Sequence, residues 1–275
     1  MNQMNTERRA AVVRCLVEGN SIRSTVRMTG AAKNTVTKLL VDLGTACEAY
    51  QYESLRGITA NNIQCDEIWS FVGCKEKNKA DDAEDFGTGD VWTWTALDTD
   101  TKLMITWFIG DRSMDAGMAF MRDLASRVVN RPQVSTDGHK VYFRAVPEAF
   151  DGKVDYGMLV KHYGLDRESE RRYSPTVCTG ATKERIMGAP DPEKICTSHV
   201  ERANLTMRMS MRRFTRLTNA FSKKVENHAA AIALHMMYYN YGRKHQTLKT
   251  SPAVAAGLTD HVWSIEEIIE TVLGA

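Results

Sequence analysis

The sequence predicts an α/β fold, a mixed sheet flanked by helices, preceded by a small all-α helix-turn-helix region. Three observations carry this. Between residues 61 and 161, short runs with strand character alternate with amphipathic helical runs. Residues 7–44 keep a helical apolar period throughout. Asp66 stands in the middle of the apolar run Ile63-Gln64-Cys65-Asp66-Glu67-Ile68-Trp69-Ser70-Phe71-Val72, where a carboxylate is costly unless a metal or hydrogen bonds compensate it.

In the first segment, Ala11, Val12, Cys15 and Leu16 share one helical face. Asn20 or Ser21 can cap a second helix that breaks near Gly30. A third, Ala31 to Leu43, turns Val36, Leu39, Leu40 and Leu43 inward and Lys33, Asn34, Thr35 and Lys38 outward. Two short helices joined at a glycine turn fit a helix-turn-helix, and a helical cap without DNA contact is the alternative.

After the Asp66 strand come Val91 to Leu97 and Leu103 to Ile109, joined through the turn Asp98-Thr99-Asp100-Thr101. An amphipathic helix from Met114 to Val129 leads through Asn130-Arg131-Pro132 into the strand Val134 to Asp137. A helix from Val141 to Phe150 and a strand from Met158 to Lys161 complete the series. Residues 162–198 lack periodicity and read as a loop-like insertion. Helices resume at Ser198 and run through a bend near Thr218 and Asn219 to Tyr241, with Gly242 at the terminus. Ser251-Pro252 and the capping box Ser264-x-x-Glu267 start two last helices.

At 275 residues and 43% hydrophobic content, the chain can bury one large domain and one small one. Its net charge of +2 means that any nucleic-acid surface must come from local clustering. Such clustering exists: Arg202, Arg208, Arg212, Arg213, Arg216, Lys223 and Lys224 fall between 202 and 224 with no acid among them, whereas acids outnumber bases from Lys77 to Asp90. The amino terminus lacks the charged-then-apolar plan of a signal peptide, and no apolar run approaches a membrane span, so an intracellular, soluble protein with no membrane partner is expected. Cysteines 15, 47, 65, 74, 178 and 196 form no Cys-x-x-Cys pair and are expected to be free thiols. A zinc site from Cys178, Cys196 and His199, with His162 nearby, is the alternative.

Three carboxylates stand out. Strand alternation puts Asp66 on one face with Gln64, Ile68 and Ser70, and turns Glu67 away from it with Cys65, Trp69 and Phe71. Asp137 ends its strand before Gly138 and His139, at the edge where α/β sheets build sites; a plain turn is the alternative. Glu201 opens a helix whose stripe Val200, Ala203, Met207, Met211 and Phe214 can pack on the sheet, leaving Glu201, Asn204, Arg208 and Arg212 on the adjoining face. Alone, Glu201 is a favourable acid in a first helical turn, worth about 0.3–1 kcal/mol. Together, Asp66, Asp137 and Glu201 offer the hard oxygen ligands that two Mg²⁺ or Mn²⁺ ions require for phosphoryl transfer. Arg208 and Arg212 could clamp phosphates, or be solvated surface charge.

The segments Cys-Asp-Glu-Ile-Trp-Ser-Phe-Val-Gly at 65–73, Ser-Thr-Asp-Gly at 135–138 and His-Val-Glu-Arg-Ala-Asn at 199–204, with the tail motifs at 238–248 and 251–258, resemble the DDE transposases of small bacterial insertion sequences, most closely the insertion-sequence-one type. The resemblance implies an RNase H-like fold with Asp66, Asp137 and Glu201 as catalytic metal ligands, and His139, His199 and Asn204 as possible accessories. It implies binding of double-stranded DNA, both terminal inverted repeats and target, by a homo-oligomer that is at least a dimer on DNA, followed by strand cleavage and joining in the bacterial cytoplasm, associated with the nucleoid. Lys33, Asn34, Lys38, Arg202, Arg208 and Arg212 are then the expected DNA contacts. The division becomes an end-binding region at 1–55, a catalytic domain at 60–245 with the insertion at 162–198, and a helical tail at 246–275. The interval from Asp137 to Glu201 is longer than is common in integrases, and the insertion accounts for it. With only Cys15 and Cys47 near the amino terminus, no zinc-binding element is expected there. An endonuclease or resolvase that does not join, and a catalytically inactive helix-turn-helix regulator, are the alternatives.

Overall fold

The computed structural model describes residues 4–79, 87–164, 177–215 and 218–274. Its centre is a six-stranded sheet in the order β3-β2-β1-β4-β5-β6. The strands are β1 (Asn62–Val72), β2 (Gly89–Asp98), β3 (Met104–Gly110), β4 (Gln133–Asp137), β5 (Asp155–Gly164) and β6 (Val177–Met187). The first three form an antiparallel meander, β4 lies parallel to β1, β5 parallel to β4, and β6 returns antiparallel to β5. The order 3-2-1-4-5, with β2 alone among those five reversed, is that of an RNase H-like sheet. Asp98 sets the reversal from β2 to β3, its carboxylate accepting from the Thr101 backbone N–H at 3.0 Å, and Lys102 takes the left-handed conformation that follows.

Each face of the sheet has its own core. Helices α4 (Met114–Arg127) and α5 (Lys140–Ala149) cover one, packing Phe120, Met121 and Tyr142 against Cys65, Trp94 and Ile105. The other face, at Ile68, Leu97 and Met104, is covered by helices from both ends of the chain. These are α1 (Thr6–Val17), α2 (Ile22–Thr29), α3 (Lys33–Ser54), α6 (Ser198–Ser210), α7 (Val225–Met237) and α9 (Ile265–Leu273), with the short α8 (Pro252–Ala255) between α7 and α9.

Within the amino-terminal helices, Ser21 Oγ caps α2 by accepting from Ser24 N at 3.1 Å, and Gly30 ends it at φ 69° before α3 begins at Lys33. The turn therefore has helix-turn-helix form. α3 runs eleven residues beyond the expected Leu43, because Gly44, Cys47 and Gln51 continue its buried stripe along α7. In α1 the inward residues are Ala10, Val12, Val13 and Val17; Ala11 is exposed, and Cys15 and Leu16 are half-buried. The face is rotated from the expected one because α9 covers α1 from one side and α2 and α3 from another.

Two expectations are corrected. Residues 162–198 are not simply a loop: β5 extends to Gly164 and β6 pairs with it as an edge strand, while residues 165–176 lie outside the described residues. Thr182, Lys183, Glu184 and Arg185 of β6 are all exposed, on both faces of the strand, so this edge strand carries no apolar alternation. The helix from Ser198 stops at Ser210; one 3₁₀ turn at Arg212–Phe214 follows, and α7 starts only at Val225. Arg216 and residues 80–86 of the acidic segment lie outside the described residues.

At the carboxyl end, Ser251 caps α8 and the Ser264–Glu267 capping box on α9 is complete. α9 returns to α1, where Arg14 pairs with Glu266, and Trp263 packs between Tyr50 and Tyr241 with ring centroids 5.6 and 4.7 Å away. Among the described residues, no helix is long and apolar enough to cross a membrane.

Candidate active site

The register of β1 on β4 pairs Cys65 with Thr136, so the next residues, Asp66 and Asp137, stand side by side where β4 ends. Both are half-buried. Asp137 Oδ1 accepts from His139 N at 2.9 Å, which fixes its carboxylate over the start of α5. Asp66 Oδ2 accepts from Asn204 Nδ2 at 2.9 Å, and Asn204 is itself held by Thr95 Oγ1, 3.2 Å from its Oδ1. Burial raises the Asp66 carboxyl to about 6, and the Asp137 charge adds to this; the hydrogen bonds from Asn204 and the Glu67 backbone oppose it, and Glu201 adds a smaller upward push.

Glu201 sits in the first turn of α6, half-buried, with its Oε1 held by the Lys161 ammonium and by Thr197 Oγ1 at 2.5 Å. It is outside the tight acid cluster but near enough for its charge to act on Asp66. The helix is anchored by a residue without a functional cue in the sequence: Gln64 Oε1, on the same β1 face as Asp66, accepts from His199 N at 2.8 Å and Val200 N at 3.1 Å. Gln64 thus satisfies two open amides of α6 and sets its position over the strand.

The third member of the tight cluster is Glu67, contrary to the alternation argument. Asp66, Glu67 and Asp137 each present an oxygen within 4.8 Å of the others. The Glu67 side chain does leave β1 on the α5 face, where Arg112 Nη2 donates to its Oε2 at 2.9 Å. Alternation misses the rest because β4 stops at Asp137, so no β4 residue stands beside Glu67 to separate the two faces of β1. Burial raises Glu67 to about 7; the Tyr142 hydroxyl and Arg112 pull it down, and the charges of Asp137 and Asp66 push it up.

The remaining candidates divide. His139 precedes α5 with its ring against Trp94 and Tyr142 at 5.8 and 6.0 Å, and burial lowers its pKa. His199 is exposed, 3.3 Å from Lys102 Nζ. Cys178, Cys196 and His199 form no metal-type group among the described residues; Cys196 Sγ instead donates to Ser198 Oγ at 3.0 Å. Lys33, Asn34 and Lys38 line a groove of about 1390 Å³ between α2–α3 and residues 210–213 and 218–224, and Arg212 lines its other wall with Arg213, Lys223 and Lys224. Arg212 was expected one helical step beyond Arg208, but α6 has ended by then, which turns it toward α3. Arg202 is exposed on α6 and Arg208 half-buried, both outside the groove.

The sheet order is RNase H-like, and acids from adjoining strand ends meet at its edge. Residues 186–248, which contain Glu201, Asn204, the basic connection and α7, match the family model described as IS1 transposase, so this segment of the chain is similar to that family. The three acids at these strand ends could hold a metal ion. Among solved structures, the chain is similar to one titled "Mos1 transposase paired-end complex with left transposon end", at 12% identity and a TM-score of 0.24, over 57% of this chain and 60% of that one. No curated protein matches the chain.

Proposed function

We propose that the protein is a transposase that binds the terminal inverted repeats of an insertion sequence as double-stranded DNA and carries out metal-dependent strand cleavage and strand transfer. The observation that carries this reading is the pairing of Asp66 with Asp137 at the end of β4, beside the first turn of a helix bearing Glu201. The donor set is all oxygen, which suits Mg²⁺ or Mn²⁺ over softer metals. Two such ions activate a water or a 3′-hydroxyl and stabilise the leaving oxygen of an in-line displacement.

The chain's own groups prepare this chemistry. Asn204 holds one Asp66 oxygen, leaving the other for coordination, and the His139 amide does the same for Asp137. Glu201, held by Lys161 at the start of α6, would complete the ligand set for such an ion. Lys33, Asn34, Lys38 and Arg212 hold the end DNA from both walls of the groove, with Arg202 and Arg208 contacting DNA nearer the acids. Residues 1–55 supply end binding and 60–245 the chemistry, and at least two copies act on the paired ends.

Duplexes carrying the element's ends test this directly. With Mg²⁺, Asp66→Ala, Asp137→Ala and Glu201→Ala are expected to abolish cleavage and joining while gel-shift binding persists; full activity in any one of them refutes its assignment. Supplying pre-cleaved ends with free 3′-hydroxyls is expected to yield joined product, and cutting without joining would instead make the protein an endonuclease.

A further inference from the structure

The third acid of the cluster has no part in the reading above. We propose that Glu67 is a further oxygen donor to the divalent cation held by Asp66 and Asp137, reaching it from the opposite face of β1. The inference rests on that two-acid site.

Three features support it. First, a Glu67 oxygen lies within 4.8 Å of ligand oxygens of both Asp66 and Asp137, a separation one cation can bridge by drawing the three inward. Second, the Glu67 side chain is only 1% exposed, and while Arg112 occupies its Oε2, its Oε1 is buried with no hydrogen-bond partner. The Tyr142 hydroxyl lies close enough to pull the Glu67 carboxyl down as a weak hydrogen-bond donor, but neither it nor Glu67 Oε1 makes a hydrogen bond of full geometry. A buried carboxylate oxygen left open in this way is rare unless something else completes it. Third, the cluster carries excess negative charge once its acids are ionised. Three carboxylates converge, whereas Arg112 is the cation paired with Glu67, and the hydrogen bonds from Asn204 and the His139 amide are neutral.

The competing explanation is structural: Glu67 could serve only to fasten β1 to the segment before α4 through Arg112. Metal binding separates the two. Mn²⁺ is titrated into the full-length protein without DNA, free Mn²⁺ is read by electron paramagnetic resonance, and each variant is checked for its fold by circular dichroism. Glu67→Gln, nearly isosteric, is expected to weaken Mn²⁺ binding about tenfold or more, as loss of a ligand does. Arg112→Gln removes the competing cation and is expected to tighten binding. A Glu67→Gln variant that folds and binds within about twofold of the parent overturns the proposal. So does an Arg112→Gln variant with unchanged affinity, which decides the matter even if Glu67→Gln does not fold. Asp66→Asn and Asp137→Asn distinguish this from failure of the two-acid site: if neither weakens Mn²⁺ binding, that site itself is refuted.

Discussion

At the residue scale, the acid cluster stores repulsion that proton uptake relieves. The folded-state carboxyls of Asp66 and Glu67 are raised to about 6 and about 7, whereas in an unfolded chain both titrate near 4. The folded protein therefore holds protons that the unfolded chain releases between these values, so their contribution to stability is present at low pH and lost as pH rises from about 4 to about 7. Without metal, Asp66→Asn should raise the melting temperature more at pH 8 than at pH 5; an equal gain at both would show that Asp66 is not repelled there. His228 acts in the opposite sense. It is fully buried between Ser70 and Ser222 hydroxyls, at 3.0 and 2.9 Å, and burial lowers its pKa to about 3. Its contribution is present above pH 6.5 and lost as pH falls toward 3, so His228→Gln should flatten the acid limb of the stability curve. At this scale, Asp66 and Asp137 were legible because a charge in an apolar strand and an acid at a strand end are visible in one dimension. Glu67 was not, because alternation says which face a residue takes but not where the neighbouring strand stops. Gln64 was not either, since its role depends on a helix more than a hundred residues away.

At the element scale, α3 and α7 approach at Gly44. A Cβ there would lie 2.2 Å from the Ala230 carbonyl oxygen and 2.6 Å from Ala230 Cα, both backbone atoms that cannot give way without moving α7. Helix propensity alone favours Gly44→Ala by about 1 kcal/mol. The close approach reverses the sign: forcing the helices apart costs about 1–3 kcal/mol. Gly44→Ala should therefore lower the urea midpoint at an unchanged slope, while Gly180→Ala, with open space around its Cβ, should not. The glycine was visible in the sequence, but not the partner helix that requires it. Periodicity also ended α3 too early, because Gly44 and Gln51 continue a buried stripe without being apolar, Gln51 by donating to the Ala233 carbonyl at 3.3 Å. β6 escaped for the opposite reason, an exposed edge strand having no core face to pattern.

At the scale of the whole molecule, both ends of the chain pack on one sheet face, which brings the α2–α3 turn opposite the connection between α6 and α7. Sequence shows two basic segments nearly two hundred residues apart; only packing shows that they share a groove. Among the described residues, its lining carries Arg23, Lys33, Lys38, Arg212, Arg213, Lys223 and Lys224 against the single acid Asp42. Arg213 is committed to structure, donating to Ser222 Oγ and the Asn227 carbonyl at 3.0 and 2.6 Å. Lys38 is partly neutralised by Asp42 at 2.5 Å. If one duplex contacts both walls, Lys33→Ala on α3 and Lys224→Ala on the connection should each reduce the slope of log K against log salt by about 1, as loss of one phosphate contact does. Asp42→Asn should steepen that slope by releasing Lys38. The measurement is fluorescence anisotropy with an end-sequence duplex across a salt series. A slope that responds to Lys33 but not to Lys224 would restrict end binding to the amino-terminal helices. A response to both, additive in the double variant, would mean that the helices and the catalytic sheet hold the DNA as one surface, so that end recognition also sets where the phosphodiester falls relative to Asp66.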